Sequence, residues 1–412
     1  MFRPLSLFFN GSVAAHRMKT TIKRVDCLDY FRGMAIIAVF LFHCLATVFG
    51  AKFPWNGWFR DFSLAPSFLA LLPIPACIGN AGVPIFFVVS GFCIHLSFQR
   101  DHQWGGFLIR RFFRIYPPYV LAVLLFALVL PETVRRLFGA ENAGLLQLVS
   151  HLLLLQNFSS STIYGINPSF WSIAVEVQLY LIYPLLLMLV GKLGWRRSLF
   201  LLLAFQVLLA GVAGVTSTMM LAPSLRPLAL EIGHYSYWLQ MSPLAYWFSW
   251  SLGAWIADVY LAGQPPPLVN GSLISWFGLS FLSYFVRPIE PFGFLLFSVT
   301  AAVAINKLLS RDISPVHFAL VGFRHLRLTG IWSYSIYLLH QPLLVIMNFY
   351  VIALWPGMAQ HPFLRFWLCI LSWLVVMPVG GIWHHCFERP SIAAGKRVVQ
   401  KKSPSSAPSV GV

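Results

Sequence analysis

The stretch RGMAIIAVFLFH, residues 32–43, is an apolar run with an ionisable side chain at each end. Eleven residues at about 100° each come to about 20° past three full turns, so Arg32 and His43 project from one face of a helix. The rise of about 1.5 Å per residue separates them by about 16 Å along the helix axis. A histidine this deep in an apolar helix is costly inside a bilayer, which makes His43 a candidate functional residue.

The composition is that of a membrane protein. Of the 412 residues, 58% are hydrophobic and only 10% are charged, whereas soluble domains carry about 25% charged residues. Apolar runs of about 20 residues, the length that crosses a bilayer as a helix, predict an all-α polytopic membrane protein of about ten transmembrane helices. The predicted spans are 31–50, 78–98, 117–131, 170–190, 198–215, 243–261, 269–287, 292–308, 331–353 and 364–386. The apolar stretch 145–157 is shorter, and we interpret it as re-entrant or interfacial.

The net charge of +17 is distributed over the loops and is not gathered in one patch. With the N-terminus in the cytosol, 22 of the 29 Lys and Arg residues fall on the cytosolic side and 7 on the other side. Cytosolic loops of membrane proteins carry such an excess. The distribution predicts a multi-pass membrane protein with both termini cytosolic, and it argues against nucleic acid as a partner.

The chain divides by composition into three regions. Residues 1–25 are predicted to form a cytosolic tail, 26–392 a membrane domain, and 393–412 a basic, then Ser/Pro-rich tail that is disordered. Met18 is an alternative start. The six cysteines show no CxxC pairing, and the sequence predicts no metal site.

Two ionisable residues on different predicted spans lie at similar depth. His43 lies about 18 Å from the cytosolic edge of the first span. Glu176 lies on the fourth span, which runs the other way, roughly 20 Å above the same edge. A histidine beside a carboxylate suits general-base catalysis, because the carboxylate orients the ring and stabilises its cation. Each residue taken alone also has a structural interpretation, as a hydrogen-bond partner between helices.

Other polar residues interrupt the remaining spans. They are Ser90 in the second span, Arg111 and Arg114 in the loop after it, Tyr180 one turn after the acidic residue of the fourth, and Tyr337 and His340 in the ninth. Together they predict a polar cavity that opens to the cytosol and has a basic rim. Such a rim suits an anionic, phosphate-bearing donor such as a nucleotide or coenzyme A. The serine equally suits helix packing, and the arginines suit an ordinary positive inner loop.

Six segments in a fixed order carry a family resemblance. They are Arg32 with His43 eleven residues later, FFVVSGF at 86–92, RFFRIYP at 111–117, WSIAVEVQLY at 171–180, SIYLLHQP at 335–342 and FERP at 387–390. In these segments the sequence resembles the membrane-bound acyltransferase-3 family, the ten-span bacterial O-acyltransferases. The resemblance runs over about 26–392 and implies the inner (plasma) membrane as the location. The extra C-terminal hydrolase-like domain of some members is not expected here.

The resemblance implies an enzyme that transfers an acyl group, usually acetyl, from cytosolic acyl-coenzyme A to a hydroxyl. The acceptor would be an envelope or exopolysaccharide glycan or its lipid-linked precursor, with no metal involved. His43 would be the base, and Glu176 would orient it or share its proton. The arginines Arg32, Arg111 and Arg114 would bind the donor, and Ser90, Trp171, Tyr180, Tyr337 and His340 would line the pocket.

Two other functions stay open from the sequence. One is acylation of a secreted small molecule or a lipo-oligosaccharide. The other is transport without acyl transfer, because ionisable residues within spans also serve transporters. The predicted outer loop 216–242 contains Glu231, His234, Tyr235, Tyr237 and Trp238. Such aromatic residues suit stacking against sugar rings, and they also suit a belt at the membrane interface.

Overall fold

The computed structural model describes residues 27–50, 55–61, 78–100, 102–129, 144–310 and 321–402, and these are almost entirely helical. The α-helices are α1 (Cys27–Phe49), α2 (Gly82–Gln99), α3 (Trp104–Leu124), α4 (Leu145–Leu152), α5 (Phe170–Met219), α6 (Arg226–Gln240), α7 (Trp247–Leu261), α8 (Leu273–Ser283), α9 (Gly293–Ser310), α10 (Val321–Ile331), α11 (Ser333–Leu354), α12 (Pro362–Leu371), α13 (Trp373–Trp383) and α14 (Arg389–Lys402). A small antiparallel hairpin pairs β1 (Trp55–Asn56) with β2 (Phe59–Arg60).

The helices confirm an all-α polytopic membrane protein. In the described part of the chain, seven helical segments are long and apolar enough to cross a membrane. They contain eight of the ten predicted spans, because α5 is 50 residues long and holds two of them. The predicted sixth and seventh spans fall on the shorter helices α7 and α8. The stretch predicted to be re-entrant forms α4, which has only 8 residues.

A kink at Gly194 divides α5 into two antiparallel halves. Gly194 has φ 76° and ψ 163°, a conformation that glycine adopts without the clash of a Cβ. Contacts with α7 show the direction of each half. Trp195 Nε1 donates to Asp258 Oδ2, near the C-terminal end of α7, over 2.8 Å. Gln206 Nε2 donates to Ser249 Oγ over 2.9 Å. Before the kink, residues 171 and 183 contact residues 246 and 250 in turn, so the first half of α5 runs in the same direction as α7. Between residues 195 and 206 the chain passes from the C-terminal to the N-terminal part of α7, so the second half runs back across the bundle.

Helices α2 and α7 pack backbone against backbone. A Cβ on Gly91 would lie 1.9 Å from the carbonyl oxygen of Trp250, and one on Gly253 would lie 1.8 Å from that of Val88. Only glycine leaves room for this approach, as in other closely packed membrane helices. The contact brings the fully buried Trp250 against α2 next to Ser90.

The C-terminal region differs from the sequence prediction. Residues 393–402 were predicted to be disordered, yet they belong to α14. Ser391 Oγ donates a hydrogen bond to the backbone carbonyl of Phe113, and a Cβ on Gly395 would lie 2.6 Å from the Cβ of Phe113. The basic composition indicated disorder, but the docking surface on α3 stabilises a helix. The predicted tail 1–25 and residues 403–412 lie outside the described residues.

Candidate functional site

An elongated cavity runs between α1, α2, α3, α5 and α11. Its volume is about 80 Å³, which is room for a few waters and less than a drug-sized ligand needs. Along α2 it extends from Val83 to Cys93, or about 15 Å at 1.5 Å per residue. We call it the arginine-lined cavity, because Arg32, Arg111 and Arg114 line the end near Cys93.

A carboxylate lies in the wall of this cavity and accepts two hydroxyl hydrogen bonds. Ser90 Oγ donates to Glu176 Oε1 over 2.7 Å, and the Tyr180 hydroxyl donates to the same oxygen. Trp250 Nε1 donates to Ser90 Oγ over 3.3 Å, which fixes the serine from the other side. Helix geometry brings Glu176 and Tyr180 together, since residues four apart share a face. The result is a fixed, partly buried acceptor beside the arginines.

Tyr337 closes the cavity at the end away from the arginines. Its hydroxyl donates to the carbonyl oxygen of Ser169 over 3.0 Å and lies 2.7 Å from Ser172 Oγ. The Phe86 ring meets the Tyr337 ring edge-on, with centroids 6.0 Å apart. The Tyr337 ring also contacts that of His340, at 5.3 Å between centroids. Tyr337 is therefore the side chain between the cavity and the histidines.

His43 and His340 form a hydrogen-bonded pair whose tautomers follow from one contact. His340 Nδ1 lies 2.8 Å from the carbonyl oxygen of Tyr337, and His340 Nε2 lies 2.9 Å from His43 Nδ1. A carbonyl oxygen only accepts, so His340 carries its proton on Nδ1 and a lone pair on Nε2. His43 must then donate from Nδ1, which leaves the lone pair on its own Nε2 free to accept a proton. The fully buried His340 thus fixes the ring orientation and the tautomer of the half-buried His43.

The structure pairs these residues differently from the sequence hypothesis. Glu176 was expected to orient His43, but in the described part of the chain no hydrogen bond joins the two. The orienting partner of His43 is His340, and the partners of Glu176 are Ser90 and Tyr180. Equal depth in the membrane fixes height along a helix but leaves open which neighbour the side chain meets.

The arginines at the other end differ in their partners. Arg32 Nη1 forms an ion pair with Asp29 Oδ1 over 3.0 Å, and Arg32 Nη2 donates to Cys93 Sγ over 3.0 Å. Arg111 Nε is buried without a hydrogen-bond partner, and among the described residues no carboxylate pairs with Arg111 or Arg114. A buried guanidinium with an unmet donor favours an anionic ligand at this position.

Most of the predicted site residues line the arginine-lined cavity. They are Arg32, Ser90, Arg111, Arg114, Glu176, Tyr180 and Tyr337. His43 and His340 lie behind Tyr337. Trp171 was predicted to line the pocket, but its ring packs on Tyr246 at 5.7 Å between centroids. The next residue, Ser172, faces the cavity instead, because successive side chains on a helix point about 100° apart.

The sequence interpretation passed over several lining residues, among them Cys93 and Ser172. Cys93 lies one turn after Ser90 on α2, and Ser172 lies one turn before Glu176 on α5. Helical spacing from the residues already chosen would have found both. No cluster of three or more His, Cys, Asp or Glu that could hold a metal occurs in the part of the chain that the structure describes.

Residues 25–381 match a family model described as an acyltransferase domain, that of acyltransferase-3. The chain belongs to the acyltransferase-3 family. It is 27% identical to the peptidoglycan O-acetyltransferase OatA of Listeria monocytogenes, over 79% of this chain and 50% of that protein. It is 27% identical to the acyltransferase MdmB of Streptomyces mycarofaciens, over 78% of this chain and 80% of that one.

A third relative is the putative peptidoglycan O-acetyltransferase YrhL of Bacillus subtilis, 25% identical over 91% of this chain and 56% of that protein. The chain thus spans about half the length of the two peptidoglycan O-acetyltransferases that it matches. No solved structure matches it.

Proposed function

We propose that this membrane protein transfers an acyl group, most simply acetyl, from cytosolic acyl-coenzyme A to a hydroxyl of an envelope or exopolysaccharide glycan or its lipid-linked precursor. The observation that carries the proposal is the His43–His340 pair, which leaves His43 Nε2 unprotonated and lies behind Tyr337 at the end of a cavity lined by arginines. The family and the names of two relatives support transfer to a glycan. The charge distribution supports an inner-membrane location with both termini cytosolic.

The donor would enter at the arginine end of the cavity. Arg111 and Arg114 have no carboxylate partner among the described residues, so a phosphate group can supply the counter-charge. The cavity is about 15 Å long but only about 80 Å³ in volume, so an extended arm that ends in a thioester would follow its length only as the surrounding helices move apart. That arm would place the reacting carbonyl near Tyr337, the last side chain before the two histidines.

The reaction needs one proton acceptor and later one proton donor. The acceptor hydroxyl gives its proton to His43 Nε2 as its oxygen bonds to the thioester carbonyl carbon. The carbon–sulfur bond then breaks, and the coenzyme A thiolate leaves and takes the proton from the His43 imidazolium. Glu176 stabilises that imidazolium through its negative charge rather than through a hydrogen bond. Ester, coenzyme A thiol and neutral histidine result, so atoms and charges balance.

The direct test is acetyl transfer by the purified protein in proteoliposomes. Acetyl-coenzyme A labelled with ¹⁴C in the acetyl group is supplied with a glycan acceptor, and alkali-labile label on the glycan is measured. We expect label on the glycan and release of one coenzyme A thiol per ester. Movement of the saccharide across the membrane without consumption of acetyl-coenzyme A would support a transporter instead. Label on a small hydroxylated compound but on no glycan would redirect the acceptor assignment.

Removal of one arginine charge should weaken donor binding. Arg111→Gln is expected to raise KM for acetyl-coenzyme A about 10-fold or more, because a charge-assisted hydrogen bond contributes about 1.5–3 kcal/mol. KM for the acceptor should not change. The control is Arg197→Gln, which removes an exposed charge at the break after Gly194 and outside the cavity. Equal KM values for both variants and the wild type would remove Arg111 from donor binding.

A further inference from the structure

A second cavity lies between α6, the C-terminal end of α5 and the turn at 158–160. We call it the α6 cavity. Its volume is about 650 Å³, within the range of small-molecule sites. On α6 its lining residues include Gly233, His234, Tyr237 and Gln240, which recur at the spacing of one helix face.

The α6 cavity lies at the opposite end of the bundle from the three arginines. The first half of α5 runs from Phe170 towards Trp195, whose indole bonds Asp258. Asp258 also contacts His95, two residues after the arginine-bonded Cys93 on α2, so this is the end of the bundle near the arginines. The second half runs back, past Ser249 on α7, to the lining residue Thr216. In the proposed orientation the arginine-lined cavity faces the cytosol, so the α6 cavity faces the outside.

The two cavities also differ in charge. Three arginines line the first, whereas the described lining of the α6 cavity contains no Asp, Glu, Lys or Arg. In their place it offers an exposed indole, Trp238, together with His234, Gln240 and the hydroxyls of Ser159 and Thr216. An aromatic face with neutral hydrogen-bonding groups around it suits a ring that has an apolar face and several hydroxyls.

One lining residue has an unmet hydrogen bond. The Tyr237 hydroxyl is buried and has no hydrogen-bond partner in the described part of the chain. Burial raises the pKa of the Tyr237 phenol, so the group stays protonated. A buried hydroxyl without a partner is destabilising by about 1–3 kcal/mol, and a ligand group or water can remove that penalty. Tyr237 thus adds one unpartnered hydroxyl to the residues that line the α6 cavity.

We propose that the α6 cavity binds the acceptor as a neutral saccharide, with one sugar ring stacked on Trp238. The proposal rests on the acyl-transfer function above and adds to it the place and the class of the acceptor. The proposal distinguishes this face from a plain aromatic belt, because a belt needs neither a concave surface nor a neutral polar lining.

A buried hydrogen-bond network joins the α6 cavity to α5, the helix that contains Glu176. Asn157, next to the lining residue Phe158, donates to Gln178 Oε1 over 3.1 Å and to the carbonyl oxygen of Met241 over 2.8 Å. Gln178 Nε2 donates back to Asn157 Oδ1 over 2.8 Å. Gln178 is two residues from Glu176 on α5, and Met241 follows the last residue of α6. A saccharide held on α6 is thereby fixed relative to the carboxylate at the reaction site.

The test uses the purified full chain and the tetrasaccharide of N-acetylglucosamine as the probe. Binding is measured by saturation-transfer NMR, and acetyl transfer to the same tetrasaccharide is measured in parallel. We expect Trp238→Ala to lose the NMR signal and to raise KM for the tetrasaccharide about 10-fold. KM for acetyl-coenzyme A should not change. The control is Tyr235→Ala, which removes an exposed aromatic ring from the same helix outside the cavity lining.

The outcomes separate the two proposals. Wild-type saccharide binding in the Trp238→Ala variant overturns the α6 assignment, whether or not acetyl transfer occurs. The assignment is also overturned if no saccharide displaces the bound tetrasaccharide and a short-chain phospholipid occupies the cavity. Binding that depends on Trp238 without any acetyl transfer by the wild type would leave the saccharide site supported and contradict the proposed enzyme activity.

Discussion

His43→Asn is expected to lower kcat for acetyl transfer about 10²–10⁴-fold, the range of a lost general base. Asparagine retains an N–H donor close to the position of the imidazole Nδ1, so its hydrogen bond to His340 Nε2 can persist. It has no group at the position of Nε2, where the lone pair of His43 accepts the proton. The substitution therefore separates catalysis from the contact between α1 and α11. The measurement is single-turnover transfer from labelled acetyl-coenzyme A at fixed protein amount.

Binding of acetyl-coenzyme A and the thermal midpoint of the detergent-purified protein serve as controls for His43→Asn. Both should stay near the wild-type values. His340→Ala should lower kcat as well, since it removes the group that fixes the His43 tautomer, while Nε2 of His43 is retained. A His43→Asn variant with kcat within threefold of wild type would show that the histidine pair is a structural link between helices.

Glu176→Gln is expected to lower kcat about 10–10²-fold. The change retains an oxygen that can accept from Ser90 and Tyr180 but removes the negative charge. Hydrogen bonds to charged groups contribute about 1.5–3 kcal/mol, roughly twice the neutral value. The charge is needed most when His43 becomes an imidazolium, so the loss should appear in kcat and not in KM for the acceptor.

A double-mutant cycle decides whether Glu176 and His43 act in the same step. If they do, the loss in the double variant His43→Asn with Glu176→Gln should be smaller than the product of the single losses. A loss in the double variant equal to the product of the single losses would mean that Glu176 acts independently of the base. Ser90→Ala is the structural comparison, because it removes one hydrogen bond to Glu176 and leaves the charge.

The sequence predicted much of the fold for reasons that hold locally. Apolar runs predict helices wherever they occur, and the basic residues at 191–197 correctly indicated a break, which the structure places at Gly194. The prediction of disorder at 393–402 was wrong because the helix there depends on a surface that is distant in sequence, the backbone around Phe113. Composition within a segment contains no information about such a surface.

In the candidate site, too, local features were predicted correctly and features set by distant contacts were not. Helical periodicity correctly placed Glu176 and Tyr180 on one face, and the six segments identified the family. Helical periodicity did not predict that Ser172, rather than Trp171, would face the cavity. Rotation of a helix about its axis is set by what it packs against, and here that includes the glycine contact of α2 with α7.

The sequence by itself determined the class of protein, the position of most of its apolar helices along the chain, and the family. Each of these depends on hydropathy, spacing or residue identity, which are properties of a segment alone. Only the tertiary structure decided that His43 meets His340, which nitrogen of His43 is free, and that Glu176 is bonded to Ser90 and Tyr180. A hydrogen bond forms only at about 3 Å and near linearity, and hydropathy fixes positions far more coarsely than that.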